Sequence, residues 1–330
     1  MSRSGPVSRL GRRDPRSDAG LERVDLTAHV GDVELPNPVM TASGTAGHGA
    51  ELADYFDLSR LGAHVVKSLA AYPWEGNPAP RVHPTTAGMI NAVGLQGPGV
   101  ERWRQDTLPG LRSSRARVVV SIWGRRVEDY ALAAANLVGI GDEVVALEVN
   151  LSCPNLEGRA GIFAHDAELS AEVMRATAVC GLPCWAKLSP NTDRLVDVAH
   201  AVVEAGAASL TLTNTVLGLV IDTETGRPVL GRGGGGLSGP AIHPVAVRAV
   251  YDVRAALPDV PIVGVGGVSD GRTALEFLMA GANAVQVGTA TFADPCAPLN
   301  VLNDLRRVLA QRGVAAVRDV VGVSHRGGLA

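Results

Sequence analysis

Short apolar runs alternate with amphipathic segments along most of the chain. Runs rich in Val, Ile and Thr predict eight strands: PVMTAS (38–43), HVVKS (64–68), RVVVSI (117–122), VALEVN (145–150), CWAKLS (184–189), SLTLTN (209–214), PIVGVG (261–266) and AVQVG (284–288). Between them, DAELSAEVMRATAVC and DRLVDVAHAVVEAGA carry apolar residues at i, i+3, i+4 and i+7, a spacing that predicts helices. DGRTALEFLMAGA predicts another helix, which begins at the capping residue Asp270 and ends at Gly281.

This alternation predicts an α/β fold, a (β/α)8 TIM barrel, with a doubly wound open sheet as the structural alternative. Residues 25–39 alternate around Gly31 and Asp32, which predicts a short N-terminal hairpin. Residues 69–114 and 215–240 are rich in Gly and Pro, and each segment follows the carboxyl end of a predicted strand. Because that end of a barrel carries the active site, we expect these segments to be long active-site loops.

Composition limits the domains and the partners. We expect residues 1–24 to be a disordered Arg-rich tail, with a transit peptide or a contact to an anionic surface as the alternatives. Residues 25–315 are expected to form the barrel, and residues 316–330 a C-terminal tail. Aromatic residues make up 4% of the chain and apolar residues 46%, so the core must consist of Ala, Val and Leu, as in helix-covered parallel sheets.

Charge and hydropathy exclude several classes of partner. The net charge of −3 argues against nucleic acid. The sequence shows no apolar run that approaches the ~20 residues of a membrane span, so we expect a cytoplasmic protein without a membrane partner. Cys180, Cys184 and Cys296 form no CxxC pair, and we expect small buried residues in a reducing compartment and no metal site.

Polar residues recur where the predicted strands end. They are Ser43, Lys67, Ser121, Asn150, Lys187 and Asn214. In a barrel these strand ends converge on one mouth. A lysine inside an apolar strand is costly to bury alone, so Lys67 and Lys187 are expected to meet an anionic ligand or a carboxylate partner.

Two glycine-rich segments follow the last two strands and indicate a phosphate site. GVGGVSD (264–270) and VGTATF (287–292) stand where barrels bind phosphate, because glycine lets backbone N–H groups approach the anion. The first strand is not followed by GxGxxG, and GxxxxGK[ST] does not occur. Cys153, in NLSCPN after the fourth strand, is a candidate nucleophile, redox centre or general base.

Several long motifs together resemble the dihydroorotate dehydrogenase family, in its cysteine-type, soluble class 1 form. They are GNPAPRVHPTTAGMINAVGLQGPG (76–99), NLSCPN (150–155), NTVLG (214–218), GGLSGPAIHPVAVRAV (235–250) and GVGGVSDGRTALEFLMAGANAVQVGTATF (264–292). The resemblance covers roughly residues 25–310. It implies an FMN-binding (β/α)8 barrel that oxidises dihydroorotate to orotate in pyrimidine biosynthesis.

The resemblance also implies a role for each matching residue. Cys153 would be the base that removes the C5 proton of dihydroorotate, while hydride passes from C6 to N5 of FMN. The residues implied to bind the substrate are Lys67, Asn91, Val93, Gly94, Leu95, Asn150, Asn155, Asn214 and Thr215. Those implied to bind FMN are Ser43, Lys67, Ser68, Ser121, Asn150, Lys187 and Thr213, with Gly239, Gly266, Gly267, Gly288 and Thr289 at its phosphate.

The chain departs from the family pattern after the third strand. VSIWG places Ser121 where relatives often have an asparagine, and the bulky Trp123 predicts an altered substrate pocket. SCPNLEGRAGIF (152–163) is similar to the NAD-linked subclass, which pairs with a subunit carrying FAD and a [2Fe–2S] cluster in a heterotetramer. The fumarate-using homodimer is the alternative. A related flavin barrel acting on another dihydropyrimidine and a flavin-binding barrel without turnover also stay open.

Overall fold

The computed structural model describes residues 24–152, 154–155 and 161–328. Its strands are β1 (Ala28–Val30), β2 (Val33–Leu35), β3 (Val39–Thr41), β4 (His64–Val65), β5 (Val82–Thr85), β6 (Gly88–Asn91), β7 (Val118–Ile122), β8 (Val144–Asn150), β9 (Pro154–Asn155), β10 (Gly161–Ile162), β11 (Cys184–Lys187), β12 (Ser209–Leu212), β13 (Val216–Gly218), β14 (Ile221–Asp222), β15 (Arg227–Pro228), β16 (Gly235–Ser238), β17 (Ile262–Val265) and β18 (Ala284–Val287). Its helices are α1 (Val100–Asp106), α2 (Leu108–Ser113), α3 (Val127–Ala135), α4 (Ala167–Thr177), α5 (Leu195–Glu204), α6 (His243–Ala256), α7 (Gly271–Ala280), α8 (Ala290–Ala293) and α9 (Ala297–Gln311).

Eight of the strands form one parallel sheet that closes into a barrel. Their order is β3–β18–β17–β12–β11–β8–β7–β4. Met40 bridges Ala63 in parallel, and the Thr41 N–H donates to the Ala63 carbonyl, so the two edge strands meet. The prediction of a (β/α)8 barrel is confirmed, and the open-sheet alternative is excluded because the edges are joined.

The barrel strands are buried on both faces, because helices cover the outer face and side chains fill the interior. Every residue of β7, Val118–Ile122, is buried. Two of the covering helices begin at the Asp residue that opens the predicted segment: the Asp166 side chain accepts from the Leu169 N–H at the start of α4. Asp270 accepts from the Arg272 and Thr273 N–H groups at the start of α7, and Gly281 ends that helix at φ +118°.

The two long Gly- and Pro-rich segments pair with each other. Strands β5 and β6 come from the first segment, β13 and β16 from the second, and they form an antiparallel sheet in the order β13–β16–β6–β5. The central pairing joins Asn91 to Gly236 and Met89 to Ser238. This small sheet adjoins the carboxyl ends of the barrel strands and positions its loops beside the site described below.

The opposite end of the barrel is closed by the first and last segments that the structure describes. The predicted hairpin is β1–β2, and its buried Val30 and Leu35 pack among residues of the barrel interior such as Trp185. Residues 316–328, separated from the barrel in the sequence analysis as a C-terminal tail, pack against it through the buried Val317 and Val320. Among the residues that the structure describes, no helix has the length and apolar character needed to cross a membrane.

Candidate active site

A cavity opens at the carboxyl ends of the barrel strands, beneath the small antiparallel sheet. It brings together most of the residues singled out from the sequence: Ser43, Lys67, Ser68, Asn91, Val93, Gly94, Leu95, Asn150, Lys187, Thr213, Asn214, Thr215, Gly239, Gly266, Gly267, Gly288 and Thr289. They lie at or just beyond the carboxyl ends of seven of the eight barrel strands and on both long loops. Residues that are remote in sequence therefore meet only because the barrel closes.

For three predicted residues the described part of the chain shows no place on the cavity wall. Ser121 is fully buried behind it, with its Oγ 2.8 Å from the Ser68 Oγ, so it reaches the cavity only through Ser68. Cys153 lies outside the described residues. Of Asn155 only the backbone is described, in the two-residue strand β9.

Trp123, which was expected to alter the substrate pocket, does not line the cavity. Its ring is buried in a small cluster with Ala70, Trp74 and Leu95, and its centroid lies 6.0 Å from that of Trp74. The Trp74 indole N–H donates to the Gly94 carbonyl at 3.0 Å. The two indoles thus pack behind the loop of Gly94 and Leu95, which they support from the side away from the cavity.

A buried ion pair forms part of the cavity floor. The Lys187 ammonium lies 3.2 Å from Oε1 of Glu148 and donates to the Ser43 Oγ at 2.9 Å. Oε2 of Glu148 accepts from the Gln286 amide at 2.7 Å. Because Glu148 on β8 and Gln286 on β18 are far apart in the sheet order, this contact crosses the barrel interior. An ammonium carries three donors, so the third is left for a group in the cavity.

Side-chain amides line one wall of the cavity. The Asn214 amide donates to Oδ1 of Asn150 at 3.2 Å, and the Asn150 amide lies 3.4 Å from the Ser68 Oγ. Asn91 is anchored by its amide to the Gly236 carbonyl at 3.2 Å. Each amide side chain offers donors and an acceptor, so this wall suits a ring that carries both kinds of group.

Lys67 is the second cation of the cavity. Among the described residues it has no carboxylate partner within ion-pair distance. Burial lowers its pKa from the ordinary value, and the nearby Arg81 charge lowers it further. Burial, with Lys67 as the second cause, lowers the pKa of the neighbouring His48 to about 4. His48 is therefore neutral near pH 7, and Lys67 is the basic side chain of this part of the cavity.

Glycines form a cradle at the other end of the cavity. Gly239, Gly266 and Gly267 have φ of +93°, +142° and +70°, which side chains rarely adopt. A Cβ on Gly267 would come within 2.8 Å of the Gly239 carbonyl, and one on Gly266 within 2.6 Å of the Ala246 Cβ. In the described part of the chain, the N–H groups of Gly267, Gly288 and Thr289 donate to no backbone carbonyl. Free, clustered donors of this kind fit a phosphate.

Two buried polar residues beneath Lys187 were not predicted from the sequence: its carboxylate partner Glu148, and Gln286, which donates to Glu148. Glu148 and Gln286 are fully buried and stand within the apolar runs VALEVN and AVQVG. The rule applied to the two lysines, that a charge inside an apolar strand needs a partner, also applies to Glu148. The signal was therefore present in the sequence, although the pairing across the barrel was not.

Fold and cavity define a class of protein: a (β/α)8 enzyme that holds a phosphate-bearing cofactor beside a small polar ligand. A family model described as dihydroorotate dehydrogenase matches residues 25–309. The chain therefore belongs to the dihydroorotate dehydrogenase family, whose members are oxidoreductases that act on dihydroorotate in pyrimidine biosynthesis.

Known relatives agree with this assignment over nearly their whole length. The chain is 46% identical over 307 residues to the protein named dihydroorotate dehydrogenase B (NAD(+)), catalytic subunit, from Desulforudis audaxviator, covering 93% of this chain and 99% of that protein. Proteins of the same name from Geotalea uraniireducens and Alkaliphilus metalliredigens are 44% and 43% identical, each covering 92% of this chain and 99% of the relative.

Membership of this family implies a flavin cofactor, and the residues present fit one. The glycine cradle has unused N–H donors for a phosphate. The Lys187 ammonium, with Ser43 and Glu148 taking two of its donors, offers the third to an electron-rich ring. The buried Thr213 hydroxyl, which has no partner among the described residues, provides another polar contact.

Proposed function

We propose that this chain catalyses the FMN-dependent oxidation of dihydroorotate to orotate, in the cytoplasm. The observation that carries the proposal is that one cavity joins a glycine cradle, a buried ammonium and a wall of asparagine amides. The cradle fits the phosphate of FMN, and the amide wall fits a pyrimidine ring. Lys67, which has no carboxylate partner in the described chain, fits the anionic charge of the substrate.

The substrate is held by groups that match its edges. Orotate is a flat anion whose ring carries donors and acceptors, so Asn91, Asn150 and Asn214 can each bind two of its edge atoms. Asn150 and Asn214 are linked to each other at 3.2 Å, which fixes the separation of their amide groups. This preorganisation lowers the entropy cost of orienting the ring.

Cys153 is proposed as the general base. Its thiolate takes the proton from C5 of dihydroorotate, and the C5–H electron pair becomes part of the new C5–C6 double bond. When bound, FMN supplies at N5 the acceptor for the hydride that leaves C6. The Lys187 ammonium favours negative charge on the ring beside it. Proton and hydride leave from adjacent carbons, so the products balance as orotate, protonated Cys153 and reduced cofactor.

Flavin spectroscopy tests the reaction. The purified full-length chain should carry a flavin that extraction and chromatography identify as FMN. Anaerobic dihydroorotate should bleach its absorption, whereas dihydrouracil, which lacks the carboxylate, should not. A colourless chain that takes up no FMN, or equal bleaching by the two compounds, contradicts the proposal.

Substitution tests the base. Cys153→Ala should keep FMN and orotate binding but reduce the rate of flavin reduction by about 10²–10⁴-fold, the usual contribution of a general base. Cys296→Ala is the matched control, because Cys296 is half-buried beside the Tyr55 carbonyl and does not line the cavity. An unchanged reduction rate in Cys153→Ala would remove Cys153 from the mechanism.

We further propose that electrons leave to NAD through a partner subunit carrying FAD and a [2Fe–2S] cluster, in a heterotetramer. The relatives' names, which specify NAD(+) and a catalytic subunit, support this subclass. The chain reduced by dihydroorotate should be reoxidised by NAD only when that subunit is added. Direct and rapid reoxidation by fumarate, with a homodimer in solution, would instead assign the chain to the fumarate-using subclass.

A further inference from the structure

His243 lies directly behind the glycine cradle, at the start of α6. It is nearly buried, and its ring meets Phe277 of α7 edge to face at 5.1 Å. Its Nδ1 lies 2.9 Å from the Gly266 carbonyl oxygen, and its Nε2 lies 2.8 Å from Oε2 of Glu276 on α7. His243 does not line the cavity, so it would act only through the backbone that it holds.

Both ring nitrogens of His243 face acceptors. A carbonyl and a carboxylate cannot donate, and a neutral imidazole carries a single N–H. Only the protonated ring donates both hydrogen bonds. Oε2 of Glu276, whose side chain is 59% exposed, is therefore the second of the two acceptors that hold this ring.

The bond to Gly266 controls the direction of a cradle donor. The carbonyl of Gly266 and the N–H of Gly267 belong to one trans peptide, in which the two groups point in opposite directions. Because the carbonyl points to His243, the N–H points away from it. Both residues are glycines, which lack a Cβ, so this peptide can adopt other orientations unless something holds it.

We propose that His243, anchored by Glu276, is a positioning residue that sets the phosphate cradle by holding the Gly266–Gly267 peptide. The proposal rests on the proposed binding of FMN, and it concerns the phosphate end of that cofactor alone. Loss of the His243 contact should therefore weaken the binding of FMN and leave the binding of riboflavin, which lacks the phosphate, almost unchanged.

The ratio of riboflavin to FMN affinity is the measurement. The full-length chain is loaded with either flavin, and dissociation is followed by the rise of flavin fluorescence on dilution. His243→Gln keeps a donor near the Nε2 position and loses the one that reaches Gly266. We expect its preference for FMN over riboflavin to fall about tenfold, the usual effect of one buried hydrogen bond. His243→Asn, which keeps a donor near the Nδ1 position, should lose less.

Two further variants make the result decisive. His200→Gln on the exposed face of α5 is the matched control and should keep the wild-type preference. Glu276→Ala changes an exposed side chain and can therefore replace His243→Gln if that variant does not fold. Its preference for FMN over riboflavin should fall about threefold. The role of His243 is overturned if His243→Gln and Glu276→Ala keep the wild-type preference for FMN, or if they lose FMN and riboflavin equally. A wild-type chain that binds both flavins equally would instead overturn the proposed FMN site.

Discussion

At the scale of single residues, the barrel depends on charges that are buried in pairs. Glu148 is 0% exposed and its partner Lys187 5%. Removing one member of such a pair leaves an uncompensated charge in the core, so we expect Glu148→Ala to lower the free energy of unfolding by about 3–5 kcal/mol. Urea unfolding measures this change in the free energy of unfolding. Asp106→Ala breaks the exposed Arg102–Asp106 pair and should cost less than about 1 kcal/mol. If both variants lose the same free energy of unfolding, the buried pair is no more important for stability than the exposed one.

Lys67 is the residue at which the proposed function opposes stability. Its pKa is lowered in the folded chain, first by burial and then by Arg81. Between that pKa and the unfolded value of 10.5, the unfolded chain binds more protons, so stability rises with pH in this window. Lys67→Met should remove that rise and stabilise the ligand-free chain near neutral pH by on the order of 1 kcal/mol.

The same substitution should weaken orotate binding by about tenfold or more, because a charged hydrogen bond to the anion is lost. Wild-type affinity should also fall as the pH rises through the lowered pKa of Lys67, and Lys67→Met should not show this dependence. Urea unfolding and orotate titration from pH 7 to 10 measure both effects. A variant that is less stable yet binds orotate normally would show that Lys67 is structural.

At the scale of elements, local signals predicted the barrel well. All eight predicted strands occur, and each is shorter than or within one residue of its predicted range, because most predicted ranges include the residues that follow the strand and begin the loop. Helix caps such as Asp166 and Asp270 were visible because they act through the next few residues. The small sheet β13–β16–β6–β5 was not predicted, since its strands are glycine-rich and its pairing joins segments about 145 residues apart.

That small sheet depends on a glycine at the β6–β16 contact. A Cβ on Gly88 would lie 1.9 Å from the Ser238 carbonyl oxygen, and Gly88 has φ +153°. Gly88→Ala should therefore push the strands apart, lower the free energy of unfolding by about 1–3 kcal/mol and weaken ligand binding. Gly110→Ala, at an exposed position of helix α2 with open space around it, should instead stabilise the chain by about 0.5–1 kcal/mol. If Gly88→Ala and Gly110→Ala change the free energy of unfolding in the same way, the close approach of β6 and β16 is contradicted.

At the scale of the whole molecule, closure of the barrel creates the site. The sequence could predict which residues end each strand, and therefore most of the cavity wall. It could not predict contacts across the interior, such as Glu148 with Gln286, because these depend on the stagger of strands that are not neighbours. The position of His243 behind the cradle could not be predicted either, because its partners lie on other elements: Gly266 in the loop after β17 and Glu276 on α7.

The far end of the barrel is held by both ends of the described chain. The Asp25 N–H donates to the Ala315 carbonyl, the Val317 N–H donates to the Asp25 carbonyl, and Val317 and Val320 are buried in the main core. Removing residues 316–330 should expose the apolar surface that these valines cover and cost about 3–6 kcal/mol, at roughly 1.5–3 kcal/mol for each of the two buried valines. A chain that ends at residue 326 keeps these contacts and should unfold like the full-length chain in urea. Because the proposed active site lies at the opposite mouth, the chain that ends at residue 326 should also keep its flavin. Full stability after removal of residues 316–330 would mean that this segment contributes nothing to the stability of the barrel.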